Sequence, residues 1–155
     1  MLNSILIALD CSPDSDSVLK TLDSLRLSAK TKLVLCHIFP PDNEDLPDPD
    51  RPHRFSSQRY KEAKKQLEAY QQKLPKSEIE IIGGEPVQEI LRLANIYQTD
   101  LIILGTRGLK GVQRILNDSV SSQVVADASC SVLVVHTNQE QSESRLEKYF
   151  FQVRA

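Results

Sequence analysis

The stretch Asp100-Leu-Ile-Ile-Leu-Gly105-Thr-Arg-Gly108 joins an uninterrupted apolar run to a polar turn that contains two glycines. The four consecutive apolar residues Leu101–Leu104 leave no polar face, so a strand built from them must be covered on both sides. Strands of that kind are typical of parallel sheets, whose two faces are packed with helices. The stretch therefore predicts a buried strand of an α/β sheet, followed by a loop that begins at Gly105.

Similar apolar runs occur at four other places, and a helical pattern separates each run from the next. The further strands are predicted at Ile5–Leu9, Leu33–Cys36, Ile79–Ile82 and Val132–Val135. The apolar positions at helical spacing between the strands are Val18, Leu22 and Leu25; Tyr60, Ala63, Leu67 and Tyr70; Val87, Ile90, Leu91, Ala94 and Tyr97; and Val120, Val124 and Ala128. This alternation predicts a doubly wound five-stranded parallel α/β sheet with right-handed crossovers. We expect Val132–Val135 at one edge of it.

Three of the helices carry start signals in the sequence. Ser12-Pro13-Asp14 and Glu85-Pro86 each place a capping residue before a proline at the first helical position. Ser119 is expected to cap the fourth helix in the same way, because its hydroxyl can accept from a free backbone N–H.

Length and composition narrow the class of protein. The chain has 155 residues, which is the size of one domain. A formal charge of −2, 5% aromatic residues and no Trp argue against nucleic-acid binding. The three cysteines are too few for a disulfide framework, and no apolar run is long enough for a signal peptide or a membrane span. We therefore expect a cytoplasmic protein with no membrane partner.

Two segments differ from the rest of the chain. Residues 40–54 contain five of the eight prolines together with several acids, which predicts a mobile loop after the second strand. Residues 137–155 form a polar C-terminal tail that contains Tyr149-Phe150-Phe151. The tail is either a frayed terminus or a short helix that docks its aromatic residues on the domain or on a partner.

Polar residues follow several of the predicted strands at their carboxyl ends, where ligands of open α/β sheets bind. Asp10 follows the first strand, His37 and Ile38 follow the second, and Gly105 follows the fourth. These residues should therefore meet at one edge of the sheet. For Asp10, capping of the first helix beside Ser12 remains an alternative role.

The loop after the fourth strand is rich in glycine and in basic residues. Gly105, Gly108 and Gly111 allow backbone N–H groups to converge on an anion, while Arg107, Lys110 and Arg114 add positive charge. A helix that begins at Ser119 would present further free N–H groups to a phosphate. The alternative is a tight glycine turn with solvated basic side chains.

Over roughly residues 3–136 the chain resembles the universal stress protein family. The resemblance is carried by Ile5-Leu-Ile-Ala-Leu-Asp10-x-Ser12, Gly84-Glu-Pro86, Asp100-Leu-Ile-Ile-Leu-Gly105 and Cys130-Ser-Val-Leu-Val-Val135, in that order. The family's signature, Gly-x2-Gly-x9-Gly-Ser/Thr, is matched by Gly105, Gly108 and Ser119, but its third glycine is replaced by Asp118. A universal stress protein domain over residues 1–136 is expected, with the Rossmann-like sheet of the adenine nucleotide alpha hydrolase-like fold.

The resemblance also implies a ligand and an assembly. The ligand is ATP or another adenine nucleotide, and the assembly is a homodimer through the last strand, Val132–Val135. The implied nucleotide-binding residues are Asp10 near ribose and base, the backbone of His37 and Ile38 at the adenine, Gly105, Arg107 and Gly108 at phosphate and ribose, and Asp118, Ser119 and Val120 at the phosphates. The Asp118 carboxylate either repels the phosphates or holds a Mg²⁺ ion that bridges them.

Three functions remain open at this point. The first is a universal stress protein that binds an adenine nucleotide and acts in stress response or signalling by binding rather than turnover. The second is a dimeric scaffold with a vestigial pocket. The third is a slow ATPase or a protein that phosphorylates itself on Ser119, Ser121 or Ser122, although no catalytic motif marks an enzyme. Cys11 beside the pocket is interpreted as a small filler residue rather than a redox switch.

Overall fold

A computed structural model describes residues 1–11, 15–39, 57–107 and 112–137. The strands are β1 (Ser4–Ala8), β2 (Lys32–Phe39), β3 (Ser77–Gly83), β4 (Leu101–Arg107) and β5 (Ser131–Thr137). The helices are α1 (Ser15–Lys20), which continues as a 3₁₀ turn over Thr21–Ser24, α2 (Ser57–Lys73), α3 (Pro86–Ile96) and α4 (Val112–Asp127). The strands form one parallel sheet in the order β3-β2-β1-β4-β5. The predicted doubly wound α/β sheet is confirmed, including the place of β5 at an edge.

The core consists of two apolar clusters, one on each face of the sheet. Side chains alternate along a strand, so Ile5 and Ile7 of β1 belong to the first cluster and Leu6 to the second. Helices α1 and α2 contribute to the first cluster and helices α3 and α4 to the second. All three β1 side chains are completely buried. The middle of the central strand is thus shielded from water on both faces of the sheet.

The sequence signals for the third helix are confirmed. Glu85 is the N-cap of α3, and its side chain accepts a hydrogen bond of 2.9 Å from the backbone N–H of Gln88. Pro86 occupies the first helical position, where no backbone N–H is needed. Val87 and Ile90 are buried as expected, and Leu93, which the sequence pattern omitted, is buried beside them.

Two predictions about helices are wrong. Helix α4 begins at Val112, so Ser119 lies inside it and is not its cap. Gln113, Arg114 and Leu116, which precede the Asn-Asp-Ser capping signal, are good helix formers. They allow the helix to begin on the N-terminal side of that signal. Tyr60 is 38% exposed, because it lies in the first turn of α2, whose apolar face is buried only at Ala63, Leu67 and Tyr70.

Several predictions concern residues outside the described ranges. The helix start at residues 12–14, the loop over residues 40–54 and the tail after Thr137 all fall there. In the ranges that the structure does describe, no helix is long and apolar enough to cross a membrane.

Asp100 joins the amino ends of the two central strands. Its Oδ2 accepts hydrogen bonds from the backbone N–H groups of Asn3 (2.7 Å) and Ser4 (3.0 Å), just before and at the start of β1. Its own backbone N–H donates to the Ser4 carbonyl at 2.9 Å. The two donated hydrogen bonds lower the pKa of the Asp100 carboxyl group. The ionised carboxylate therefore stabilises the folded chain at neutral pH.

We expect Asp100→Asn to lower the free energy of unfolding at neutral pH. The substitution should also make the free energy of unfolding fall less steeply as the pH is lowered into the acidic range. Because the pKa of Asp100 is lowered in the folded state, its stabilisation is complete above about pH 4 and is lost as the pH falls further. Urea unfolding of wild type and variant between about pH 7 and pH 3 measures both effects. The exposed Asp23 supplies the control Asp23→Asn. Parallel pH profiles for wild type and Asp100→Asn would contradict the assignment.

Candidate functional site

The carboxyl end of the sheet contains a notch, because the central strand stops earlier than its neighbours. Strand β1 ends at Ala8, which is paired with Cys36 of β2 and Leu104 of β4. Strand β2 continues to Phe39 with only β3 beside it, and β4 continues to Arg107 with only β5 beside it. Backbones two strands apart are separated by roughly 9–10 Å. We refer to the space between the ends of β2 and β4, above Leu9–Cys11, as the notch.

The notch lies where the strand order reverses. From β1 the chain proceeds to β2 and β3 on one side, and then crosses to β4 and β5 on the other. Loops that leave neighbouring strands in opposite directions at such a point open a crevice between them. The notch is therefore the expected ligand position for this topology.

Asp10 and Cys11 form the floor of the notch. Cys11 has a φ of 59°, a left-handed conformation that turns the chain away from the sheet. The hydroxyl of Ser15, the first residue of α1, donates to Asp10 Oδ1 at 3.2 Å. Ser15 is almost completely buried, so the fold fixes this donor. The Asp10 carboxylate is thus held beside the start of α1, at the floor of the notch.

His37 borders the notch on the β2 side. Its Nδ1 donates to the Leu9 carbonyl at 2.7 Å, because a carbonyl oxygen only accepts. The Phe39 ring packs edge-to-face against the imidazole, with 4.5 Å between ring centroids. The hydrogen bond cannot be recognised in the sequence, because nothing local to His37 marks Leu9 as its partner. Ile38 lies between His37 and Phe39 in the sequence, and its side chain packs against the second core cluster.

Gly105 borders the notch on the β4 side, where it is paired with Val135 of β5. The fold therefore brings Asp10, His37, Ile38 and Gly105 to the same edge of the sheet. His37 and Ile38 lie inside β2 and Gly105 lies inside β4, rather than in the loops expected after these strands, because both strands continue beyond their apolar runs by pairing with the edge strands β3 and β5. The backbone of Arg107 ends β4. The side chain of Arg107 and the whole of Gly108 lie outside what the structure describes.

The predicted phosphate residues of α4 occupy a different setting from the one expected. Ser119 and Val120 lie inside the helix, where each backbone N–H bonds to a carbonyl four residues earlier. Val120 is half-buried and packs against the second core cluster. The side chains of Asp118 and Ser119 lie outside the described structure. The backbone N–H groups of Ser119 and Val120, which were expected to bind phosphate, are therefore already hydrogen-bonded within the helix.

The ionisation state of the Cys11 thiol follows from its surroundings. Burial and, to a smaller extent, the charge of Asp10 together raise the pKa of Cys11 to about 11, so the thiol is protonated at neutral pH. The interpretation of Cys11 as a filler residue agrees with this.

Ser121 is only 7% exposed, whereas Ser122 is exposed, so of these two serines only Ser122 can readily accept a phosphoryl group. Among the described residues, no three His, Cys, Asp or Glu side chains come together to bind a metal.

Comparison with known proteins agrees with this architecture. The sequence model of the universal stress protein family matches residues 1–136. A universal stress protein of Synechocystis sp. is 31% identical over 147 residues, covering 84% of this chain and 96% of the relative.

Two solved structures share the fold. A universal stress protein in complex with cAMP has a TM-score of 0.63 and 20% identity, over 88% of this chain and 98% of the other. A universal stress protein from Archaeoglobus fulgidus in complex with dAMP has a TM-score of 0.60 and 21% identity, over 85% and 96%. The family match over residues 1–136 and the shared five-stranded fold lead to one conclusion: the chain belongs to the universal stress protein family.

Proposed function

We propose that the protein binds an adenine nucleotide in the notch and acts in stress response or signalling by binding rather than turnover. The observation that carries this proposal is the early end of β1, which leaves a gap about two strand spacings wide between β2 and β4. A gap of that size at the point of strand reversal suits a flat heterocycle joined to a sugar. The cAMP and dAMP complexes of the two related structures support adenine as the heterocycle.

The charges around the notch favour one orientation of the nucleotide. The Asp10 carboxylate accepts hydrogen bonds from ribose hydroxyls but repels phosphates. Gly105 has no side chain, so a ligand can approach the backbone of β4 closely. Arg107 is the last residue of β4, and the sequence beyond it contains Lys110 and Arg114. We therefore place the sugar beside β1 and the phosphates towards the basic residues that follow β4.

Binding without turnover is the form of the proposal that the side chains favour. The Cys11 thiol is protonated at neutral pH and is a poor nucleophile. Asp10 already accepts a hydrogen bond from Ser15, and His37 Nδ1 already donates to Leu9. These three side chains hold the fold at the notch. The cysteines are free, which fits the reducing cytoplasm in which we place the protein.

We expect calorimetry to detect binding of ATP, ADP, AMP or cAMP, each measured with and without Mg²⁺. Asp10→Asn should weaken AMP binding roughly tenfold, the effect of one hydrogen bond to a charged group. The control is Asp23→Asn, which removes the same charge from an exposed position in the 3₁₀ turn. If neither wild type nor control binds any of the four nucleotides at millimolar concentration, the scaffold interpretation replaces this one.

Asp118 tests whether the phosphates of a bound nucleotide approach α4. If the carboxylate repels them, Asp118→Asn should tighten ATP binding in metal-free buffer by a factor of roughly 5–30 and change AMP binding less. Asparagine is the better test than glycine, because glycine inside α4 costs about 1 kcal/mol of helix stability. Weaker ATP binding only in the presence of Mg²⁺ would instead identify Asp118 as a metal ligand.

We also propose a homodimer through β5. Strand β5 is an edge strand, and its apolar residues Val132, Leu133, Val134 and Val135 are all half-buried rather than buried. An exposed apolar edge of this kind pairs readily with another strand. A second copy of the same strand, related by a two-fold axis, satisfies the edge and closes the assembly.

We expect light scattering to show a dimer for wild type at tens of micromolar and a monomer for Val134→Asp, because the variant places an unpaired charge in the seam. The matched control is Ile82→Asp in β3, which is half-buried against the same core cluster at the opposite edge. That control should remain dimeric if it folds, which circular dichroism checks for both variants. A monomeric wild type at these concentrations contradicts the proposal.

A further inference from the structure

We propose that His37 is a positioning residue that orients the Asp10 carboxylate by holding the end of β1. The inference concerns the side chain of His37 and is separate from any contact that its backbone makes with adenine. Its effect on a ligand rests on the proposed function, but the contact itself can be tested without a ligand.

The hydrogen bonds of Leu9 show where the imidazole acts. The Leu9 N–H donates to the Cys36 carbonyl at 2.8 Å, which continues the ladder between β1 and β2 by one step. The Leu9 carbonyl accepts from the His37 side chain at 2.7 Å. Cys36 and His37 are consecutive residues of β2. Both the N–H and the carbonyl of Leu9 are therefore hydrogen-bonded to this one strand. The imidazole thus secures β1 one residue beyond its last paired position.

The Leu9 carbonyl is directly coupled to Asp10. The carbonyl of Leu9 and the N–H of Asp10 belong to one planar peptide unit, so fixing the carbonyl direction fixes the bond into the Asp10 Cα. On the other side, the Asp10 carboxylate accepts a hydrogen bond from Ser15, and Cys11 follows in a left-handed conformation that is unfavourable for a residue with a side chain. His37 therefore opposes the relaxation of a strained turn that carries Asp10.

The imidazole is itself held in one state. Because its partner is a carbonyl, Nδ1 carries the proton, so a neutral ring has a single tautomer. Phe39, two residues later on the same side of β2, holds the ring plane through an edge-to-face contact at an interplanar angle of 87°. A donor with a fixed position and a fixed proton is what a positioning role requires.

Two substitutions separate the hydrogen bond from the bulk of the ring. His37→Asn keeps an N–H donor near the position of Nδ1, whereas His37→Leu keeps a similar volume without any donor. The first measurement needs no nucleotide: the rate of Cys11 alkylation by iodoacetamide, read by peptide mass spectrometry. Cys36 is completely buried, so its alkylation in the same sample reports opening of the whole sheet.

We expect His37→Leu to speed Cys11 alkylation roughly fivefold, the effect of one neutral hydrogen bond on local opening, and His37→Asn to restore the wild-type rate. Cys36 should stay unreactive in all three proteins. Equal Cys11 rates in the three proteins would overturn the proposal. So would a rise in which Cys36 follows Cys11, because that rise reports a general loss of stability.

The second measurement reads Asp10 through the ligand. We compare the affinities of AMP and 2′,3′-dideoxy-AMP, whose ratio should be roughly tenfold if a charged group accepts from the ribose. His37→Leu should reduce the ratio to about that of Asp10→Asn and cause no further loss in the Asp10→Asn background, whereas His37→Asn should preserve it.

The two measurements together distinguish failure of this inference from failure of the proposed function. Faster Cys11 alkylation in His37→Leu together with no nucleotide binding by wild type would support the positioning role and contradict the nucleotide site. A loss of affinity that is equal for both nucleotides, with the ratio unchanged, would show that His37 only stabilises the fold and would overturn the inference.

Discussion

The burial of β1 on both faces of the sheet is the constraint on which the rest of the structure depends. The strand lies between β2 and β4 and is covered by helices on both faces, and every side chain of it after Ser4 is apolar, because a polar group buried there costs free energy. At the carboxyl end of this strand, groups that can bind a polar ligand therefore begin only where the strand stops, at the Leu9 carbonyl and Asp10. Because β1 ends before its two neighbours, those first polar groups lie in a notch rather than on a flat edge.

The same constraint explains which features could be predicted from the sequence. Strands that are buried on both faces appear as uninterrupted apolar runs, so β1 and β4 are evident from Ile5–Leu9 and Leu101–Leu104. The topology of such sheets then places Asp10 and Gly105 at one site without any knowledge of side-chain positions. The prediction for the start of α4 is wrong, because the capping signal at Ser119 competes with good helix formers before it.

The hydrogen bond that holds the end of β1 could not be predicted, because it joins residues that are distant in the chain. His37 and Leu9 are 28 positions apart, and their contact depends on how far β1 extends relative to β2. The sequence shows a histidine at a strand end but not the carbonyl that selects its tautomer. The raised pKa of Cys11 is likewise a result of burial beneath the turn, whereas the adjacent helix start suggests a lowered one.

A carboxylate lies at each end of the central strands β1 and β4: Asp100 at their amino ends and Asp10 at the carboxyl end of β1. The two carboxylates accept hydrogen bonds from different kinds of donor, and this difference suits them to different roles. Asp100, at the amino ends, accepts from two backbone N–H groups, whose directions are set by the chain. Such donors cannot turn towards another partner, so this carboxylate acts as a clamp. Asp10, at the carboxyl end, accepts from the Ser15 hydroxyl, which can rotate and can also accept. The carboxylate at the notch can therefore exchange this donor for a ligand hydroxyl, provided that the backbone beneath it stays fixed through Leu9 and His37.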